Sequence, residues 1–232
     1  MIDPVSLMLS NGADFWQRKF YVGSNTVGTA IATNTDPIAI AATEGMLSIY
    51  NSASTTGDDN RNTIIMPLYI KLVCTVINAS STDFSMRVAT DTIQRYSTGG
   101  TQLTMNSTFV NSDTAGAARP TAVGEVYFGD LTLAAVSSEA QIGQVVVRAG
   151  GSAQGQVVGD EYLIGFGNYQ NSGNTTLSAA ASKSMTKNLS PVFLGPGSSL
   201  IVQPLATAGA ATGASFNVEV GVIELYHNPK RS

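Results

Sequence analysis

The chain has little of what catalysis and metal binding require. Its 232 residues include one histidine, one cysteine and one tryptophan. The lone His227 would have to serve any Ser-His-Asp or Cys-His arrangement, and it stands just past the last apolar run, in Tyr226-His227-Asn228-Pro229. No Gly-x-Ser-x-Gly elbow is present. One His and one Cys exclude the histidine-rich and multi-cysteine metal sites. Cys74 has no partner for an internal disulfide and lies in the apolar run from Leu68 to Ile77, where a thiol acts as a small buried hydrophobe.

Charge is scarce as well. Asp, Glu, Lys and Arg make up 12% of the chain, about half the usual share of about 25%. Twelve cations against sixteen anions leave a net charge of −4. That argues against direct nucleic-acid binding, which needs a basic face, and the only basic cluster is Lys230-Arg231 at the C-terminus. No apolar run is long enough to span a bilayer, because the longest, Ile64 to Ile77, is interrupted by Pro67 and Lys71. Met1 to Leu9 lacks the basic start and long apolar core of a signal peptide. The expectation is a protein made in a cytoplasm, with no membrane partner. A surface poor in charge is built from Ser, Thr, Asn, Gln and Gly, which are cheap to desolvate. Such a surface suits a protein packed against copies of itself or a partner, and loop-rich β-proteins share the composition.

What the chain does have is strand patterning. Met46 to Tyr50 alternates, and in Leu68 to Ile77 the residues Ile70, Leu72, Cys74 and Val76 share one face. Phe84 to Thr90 reads as its hairpin partner. Further strands are expected at Val27–Ala32, Pro37–Ala41, Gly124–Leu133, Gln141–Arg148 and Glu161–Gly167, and two more between Pro191 and Tyr226. The region from Gly99 to about Ala122 reads as loop, and Asn168 to Lys187 as polar and irregular. Roughly nine to eleven short strands without a long amphipathic helix predict an all-β sandwich or barrel.

Residues 1–26 differ in texture and are predicted to form an N-terminal arm, with residues 27–232 as a single sandwich domain. Phe15, Trp16, Arg18, Phe20 and Tyr21 crowd aromatics and a cation into seven positions, the residue types that anchor interfaces. Either a short helix capped by Asp14 or an extended arm docked on a neighbour would suit them.

Carboxylates form no convincing constellation. Glu219 and Glu224 are five apart on the last strand, on opposite faces of a regular strand, so they do not make a glycosidase pair. Asp58-Asp59 and Asp160-Glu161 match no EF-hand spacing. Gly165-Phe166-Gly167 and Gly195-Pro196-Gly197 lack the following helix of a phosphate-binding loop, and the second reads as a tight turn. No catalytic residue, cofactor or metal is therefore assigned.

The stretch Pro191 to Tyr226 carries a resemblance. Gly195-Pro196-Gly197-Ser198-Ser199-Leu200-Ile201-Val202-Gln203-Pro204, an Ala/Gly/Thr loop and a long final strand resemble the end of a bacteriophage virion jelly roll. The resemblance covers about the last forty residues. It implies a jelly-roll sandwich residing in the virion as a capsid or decoration protein. Its implied partners are itself, as a trimer, and other virion proteins. Phe216, Val218, Val220 and Val222 are expected to close the core, and the adjoining apolar pair Val222-Ile223 to mark a bulge or a stretch covered on both faces. The alternative is a carbohydrate- or receptor-binding β-sandwich of a tail or fibre, with Tyr96, Tyr127, Tyr162 and Tyr169 as candidate contacts.

Overall fold

Strand after strand here alternates apolar with polar residues, and thirteen strands form among the described residues. The computed structural model describes residues 16–25, 28–30, 43–53, 63–77, 84–107, 122–147, 156–167, 184–206 and 214–227. In chain order the strands are β1 (Trp16–Ser24), β2 (Thr29–Ala30), β3 (Glu44–Asn51), β4 (Thr63–Val76), β5 (Phe84–Asp91), β6 (Tyr96–Gln102) and β7 (Met105–Ser107). They continue as β8 (Gly124–Leu133), β9 (Ala140–Val147), β10 (Glu161–Phe166), β11 (Ser184–Leu189), β12 (Ser199–Ala206) and β13 (Ser215–His227). No helix occurs among the described residues.

Two sheets pack face to face as a β-sandwich. The first runs β11-β10-β4-β13-β1-β7, with β2 also paired to β13, and the second runs β6-β8-β3-β12-β5-β9. Eight of these strands form four nested antiparallel pairs: β1 with β13, β3 with β12, β4 with β10, and β5 with β9. The ladders β13–β4 and β12–β5 then join the pairs side by side. β6, β7 and β8 are inserted between the members of the innermost pair and extend the sheet edges, and β11 lies parallel to β10 at the far edge.

One core lies between the sheets. Ile70, Leu72, Cys74, Ile164, Phe216, Val218, Val220 and Val222 face it from the first sheet. Leu47, Ile49, Met86, Val88, Val126, Phe128, Leu200 and Val202 face it from the second. The expected core set of the last strand is thus fully buried. Val222 and Ile223 are both covered, on opposite faces, with Ile223 packing against Met66 and Leu225. A register shift does fall at Gly221/Val222, and the extra residue is Leu68 of β4, between Pro67 and Tyr69. Pro67 therefore sits beside a bulge, where a strand tolerates a residue without an N–H.

Four expectations need correction. Phe84–Thr90 is not the hairpin partner of Leu68–Ile77: as β5 it crosses to the second sheet and pairs with β12 and β9, while β4 pairs with β13 and β10 in the first. Trp16–Ser24 forms neither a helix nor a separate arm: it is β1, paired with β13 at nine successive positions. Tyr21 enters the core while its neighbour Phe20 stays 39% exposed on the other face. The loop expected from Gly99 contains the end of β6 and all of β7. Gly99 and Gly100, at φ +85° and +61°, make that possible, because they bend β6 into register shifts against β8 without ending it. The irregular stretch ending at Lys187 holds the start of β11, an edge strand whose polar residues suit its exposed position. Gly195-Pro196-Gly197 is the expected tight turn: Ser198 N–H donates to Gly195 O at 3.0 Å, with Gly197 at φ +80°. Residues 31–42, expected to carry a strand at Pro37–Ala41, lie outside the described residues.

Asn51 ties the sandwich together at the end of β3. Its buried amide donates to Thr63 O (2.9 Å) and Leu194 O (2.8 Å) and accepts from Ala53 N–H (3.1 Å). Replacing Asn51 by Ala leaves three buried backbone groups without this partner, and the expected loss is about 3 kcal/mol. Chemical denaturation checks this against Asn106→Ala, an exposed control expected to cost less than about 0.5 kcal/mol.

Candidate functional site

Four of the chain's charged residues meet on the outer face of the second sheet. Met86 and Val88 of β5 enter the core, so the alternation turns Arg87 and Asp91 outward. Arg95, just before β6, donates to Asp91 Oδ2 at 3.1 Å and to Glu139 Oε2 at 2.5 Å, with its Nε on Ala134 O. Arg87 pairs with the other oxygen of Glu139 and donates to Gln203 Oε1 (2.7 Å) and Gln141 Oε1 (3.1 Å). All four charged side chains are at most 5% exposed. Two cations meet two carboxylates, so the cluster is neutral. It works as a clasp, holding the 134–139 connection and the start of β6 onto β5 and β12.

Burial alone would raise the carboxyl pKa of Asp91. The Ser138 and Ser137 N–H groups, the Arg95 guanidinium and the Thr92 N–H outweigh it and hold that pKa below the usual range. The cluster has no group poised as nucleophile or base. Among the described residues, no three of His, Cys, Asp and Glu gather as a metal site would require.

A second feature is a pair of depressions where the chain crosses from one sheet to the other between β6 and β7. Leu103 is the anchor: its side chain is in the core and its N–H donates to Val126 O at 2.8 Å. Gln102 and Thr104, on either side of it, are exposed. One depression, of about 310 Å³, is lined by Ser24, Asn25, Thr29, Thr101, Gln102 and Thr104 around Leu103 and Phe128. The other, of about 440 Å³, shares Gln102, Leu103 and Thr104 and adds Met105, Ala122, Gly124 and Glu125.

The residues singled out from sequence are dispersed. Phe15 lies outside the described residues. Trp16 and Arg18 take their places in β1 opposite His227 and Leu225. Phe20 is 39% exposed on the outer face, whereas Tyr21 is buried in the core, as neighbours in a strand must be divided. Of the four tyrosines, Tyr96 and Tyr127 come together as a stacked pair, ring centroids 3.6 Å apart and planes within 10°. Tyr127 donates to Glu125 Oε2 (2.9 Å), and burial together with that carboxylate pushes its phenol up to about 12. Tyr162 is a core residue packed edge-on to Phe216, its pKa raised chiefly by burial. Tyr169, like Asp58 and Asp59, lies outside the described residues.

Glu219 and Glu224 do point to opposite faces: Glu219 accepts from the Tyr69 hydroxyl at 2.7 Å, and buried Glu224 accepts from Val123 and Gly124 N–H at 2.6 Å each. Asp160 caps a turn through Val157 N–H, and Glu161 pairs with Lys71. Sequence reasoning missed the four-charge clasp and the Gln102–Thr104 crossing. Arg87 inside the apolar run Phe84–Thr90 was the available signal, since an isolated cation among core residues needs a buried partner.

Asp91→Asn keeps the shape of the side chain and removes its charge. The expected loss at pH 7 is about 3 kcal/mol by urea denaturation. The folded carboxyl titrates below its unfolded value of about 3.9. Its contribution is therefore complete above that value and is lost as pH falls through the lower, folded pKa. The stability gap between the parent and Asp91→Asn closes correspondingly below about pH 4. Cys74 is buried, and desolvation followed by the nearby Asp160 charge pushes its thiol up to about 11. Iodoacetamide at about pH 8 is expected to spare the folded protein and alkylate it promptly once unfolded, as intact mass would show.

No protein-family model, no curated protein and no solved structure matches this chain.

Proposed function

We propose that this chain is a non-enzymatic virion structural protein of a bacteriophage, a jelly roll that forms or decorates a capsid shell. The nested pairing carries the reading. Four antiparallel pairs, each enclosed by the next and shared between two sheets, are the pairing expected of the double Greek key of a jelly roll, an architecture used by viral capsids, lectins and cupins. Fold alone does not assign function, and three further features favour the capsid use. The charge count is low, the outer face of the second sheet hides its ions in a neutral clasp, and no metal-binding cluster of the cupin sort occurs among the described residues.

The mechanism is mechanical. Rigid sandwiches present neutral faces to each other, self-association follows a closed symmetry, a trimer in this reading, and many weak contacts sum by avidity. The partners are other copies and other virion proteins. The net charge of −4 speaks against direct contact with packaged nucleic acid.

Mass measurement in solution and electron microscopy of the purified chain test this. The expected result is a trimer or larger shell-like assembly. A discrete monomer that neither assembles nor binds capsids overturns it.

A further inference from the structure

We propose that the two depressions flanking Gln102–Thr104 form one binding groove for a neutral oligosaccharide. The inference is independent of the capsid reading, since a shell, a decoration protein or a fibre could each carry such a groove.

The chemistry of the lining points to the ligand. From Tyr96 to Ser107 the chain has no charged residue, and the first depression is walled by hydroxyls and amides over the apolar floor of Leu103 and Phe128. Neutral donors and acceptors on an apolar floor match the alternating hydroxyl and C–H surface of a sugar ring. The side chains of Thr101, Gln102 and Thr104 make no hydrogen bond among the described residues, so their polar atoms are open to a ligand. Leu103 anchors the crossing between them through its buried side chain and its bond to Val126 O, so presenting Gln102 and Thr104 costs little ordering on binding.

The second depression adds the one charged group, Glu125. Its Oε2 accepts from Tyr127, and its Oε1 takes no hydrogen bond among the described residues. A carboxylate is an acceptor for sugar hydroxyls and repels uronates, sialates and phosphates, which would also face a chain of net charge −4. Neither depression is lined by Lys or Arg, and that too selects a neutral ligand. Tyr96 and Tyr127 line neither depression: they stack on each other against the apolar cluster of Leu131, Leu133, Ala89 and Ile201. Each depression, at about 310 and 440 Å³, is at the low end of small-ligand sites of about 300–1,000 Å³. Their shared rung extends the site to an oligosaccharide.

The test is a printed array of neutral and acidic glycans, followed by isothermal titration with malto-, cello-, chito- and mannohexaose and with heparin hexasaccharide as the charged contrast. The expected result is saturable binding of a neutral glycan, weakened about tenfold or more in Gln102→Ala/Thr104→Ala, as loss of one or two hydrogen bonds implies. These side chains are exposed, so the double variant is expected to fold as the parent does, and thermal melting checks this. Absence of binding to every neutral glycan on the array overturns the proposal, as does binding of acidic glycans alone or affinity unchanged in the double variant. If the parent binds no glycan and the double variant changes the oligomer mass, the groove is a subunit contact and the saccharide reading falls. The capsid reading is then untouched.

Discussion

The rest of the sandwich depends on where β13 sits. It lies between β1 and β4, pairing with nine residues of one and twelve of the other. One face of it, Phe216, Val218, Val220 and Val222, fills the core. Each of the other nested pairs needs its own ends brought together, and closing the β1/β13 pair encloses all of them. The separations are long, so closure entropy is incurred before the pairing rewards it. The return is a large continuous apolar area, at about 25 cal/mol per Å² removed from water.

A different constraint governs the outer face of the second sheet. Ala89, Leu131, Leu133 and Ile201 form a small apolar cluster there, with Tyr96 and Tyr127 packed against it. The 134–139 connection would have to leave the sheet if Arg95 and Glu139 were unpaired, because an isolated buried charge is far costlier than a paired one. Asp91 reconciles burial with ionisation by collecting three backbone N–H bonds as well as Arg95. In a chain so poor in charge, four of its twenty-eight charged residues spent in one neutral cluster leave the surface still more neutral. The capsid proposal and the saccharide groove draw on the same property, a surface of hydroxyls and amides that is cheap to desolvate.

Much of the architecture was legible in the chain. The alternation in Leu68–Ile77 and Phe216–Tyr226, the Gly195-Pro196-Gly197 turn and the core role of Phe216, Val218, Val220 and Val222 follow from a period of two and from turn chemistry, which are local. The adjoining pair Val222-Ile223 also announced a strand covered on both faces. The aromatic cluster at Phe20-Tyr21 was legible as an anchor, but the partner it anchors to was not. A strand and an arm have the same composition, and only the free edge of β13 decides between them.

Composition and periodicity by themselves determined the all-β class, the scarcity of charged residues, His and Cys and the apolar face of each strong strand, because those depend on residue type and near neighbours. Strand order, the conversion of Trp16–Ser24 from arm to β1, and the strands within Tyr96–Ser107 were decided only by tertiary structure. So was the meeting of Arg87, Asp91, Arg95 and Glu139. Pairing partners far apart in the chain are chosen by which combination buries the most apolar surface while leaving the fewest backbone and ionic groups unmatched, and that sum exists only once all the strands are in place.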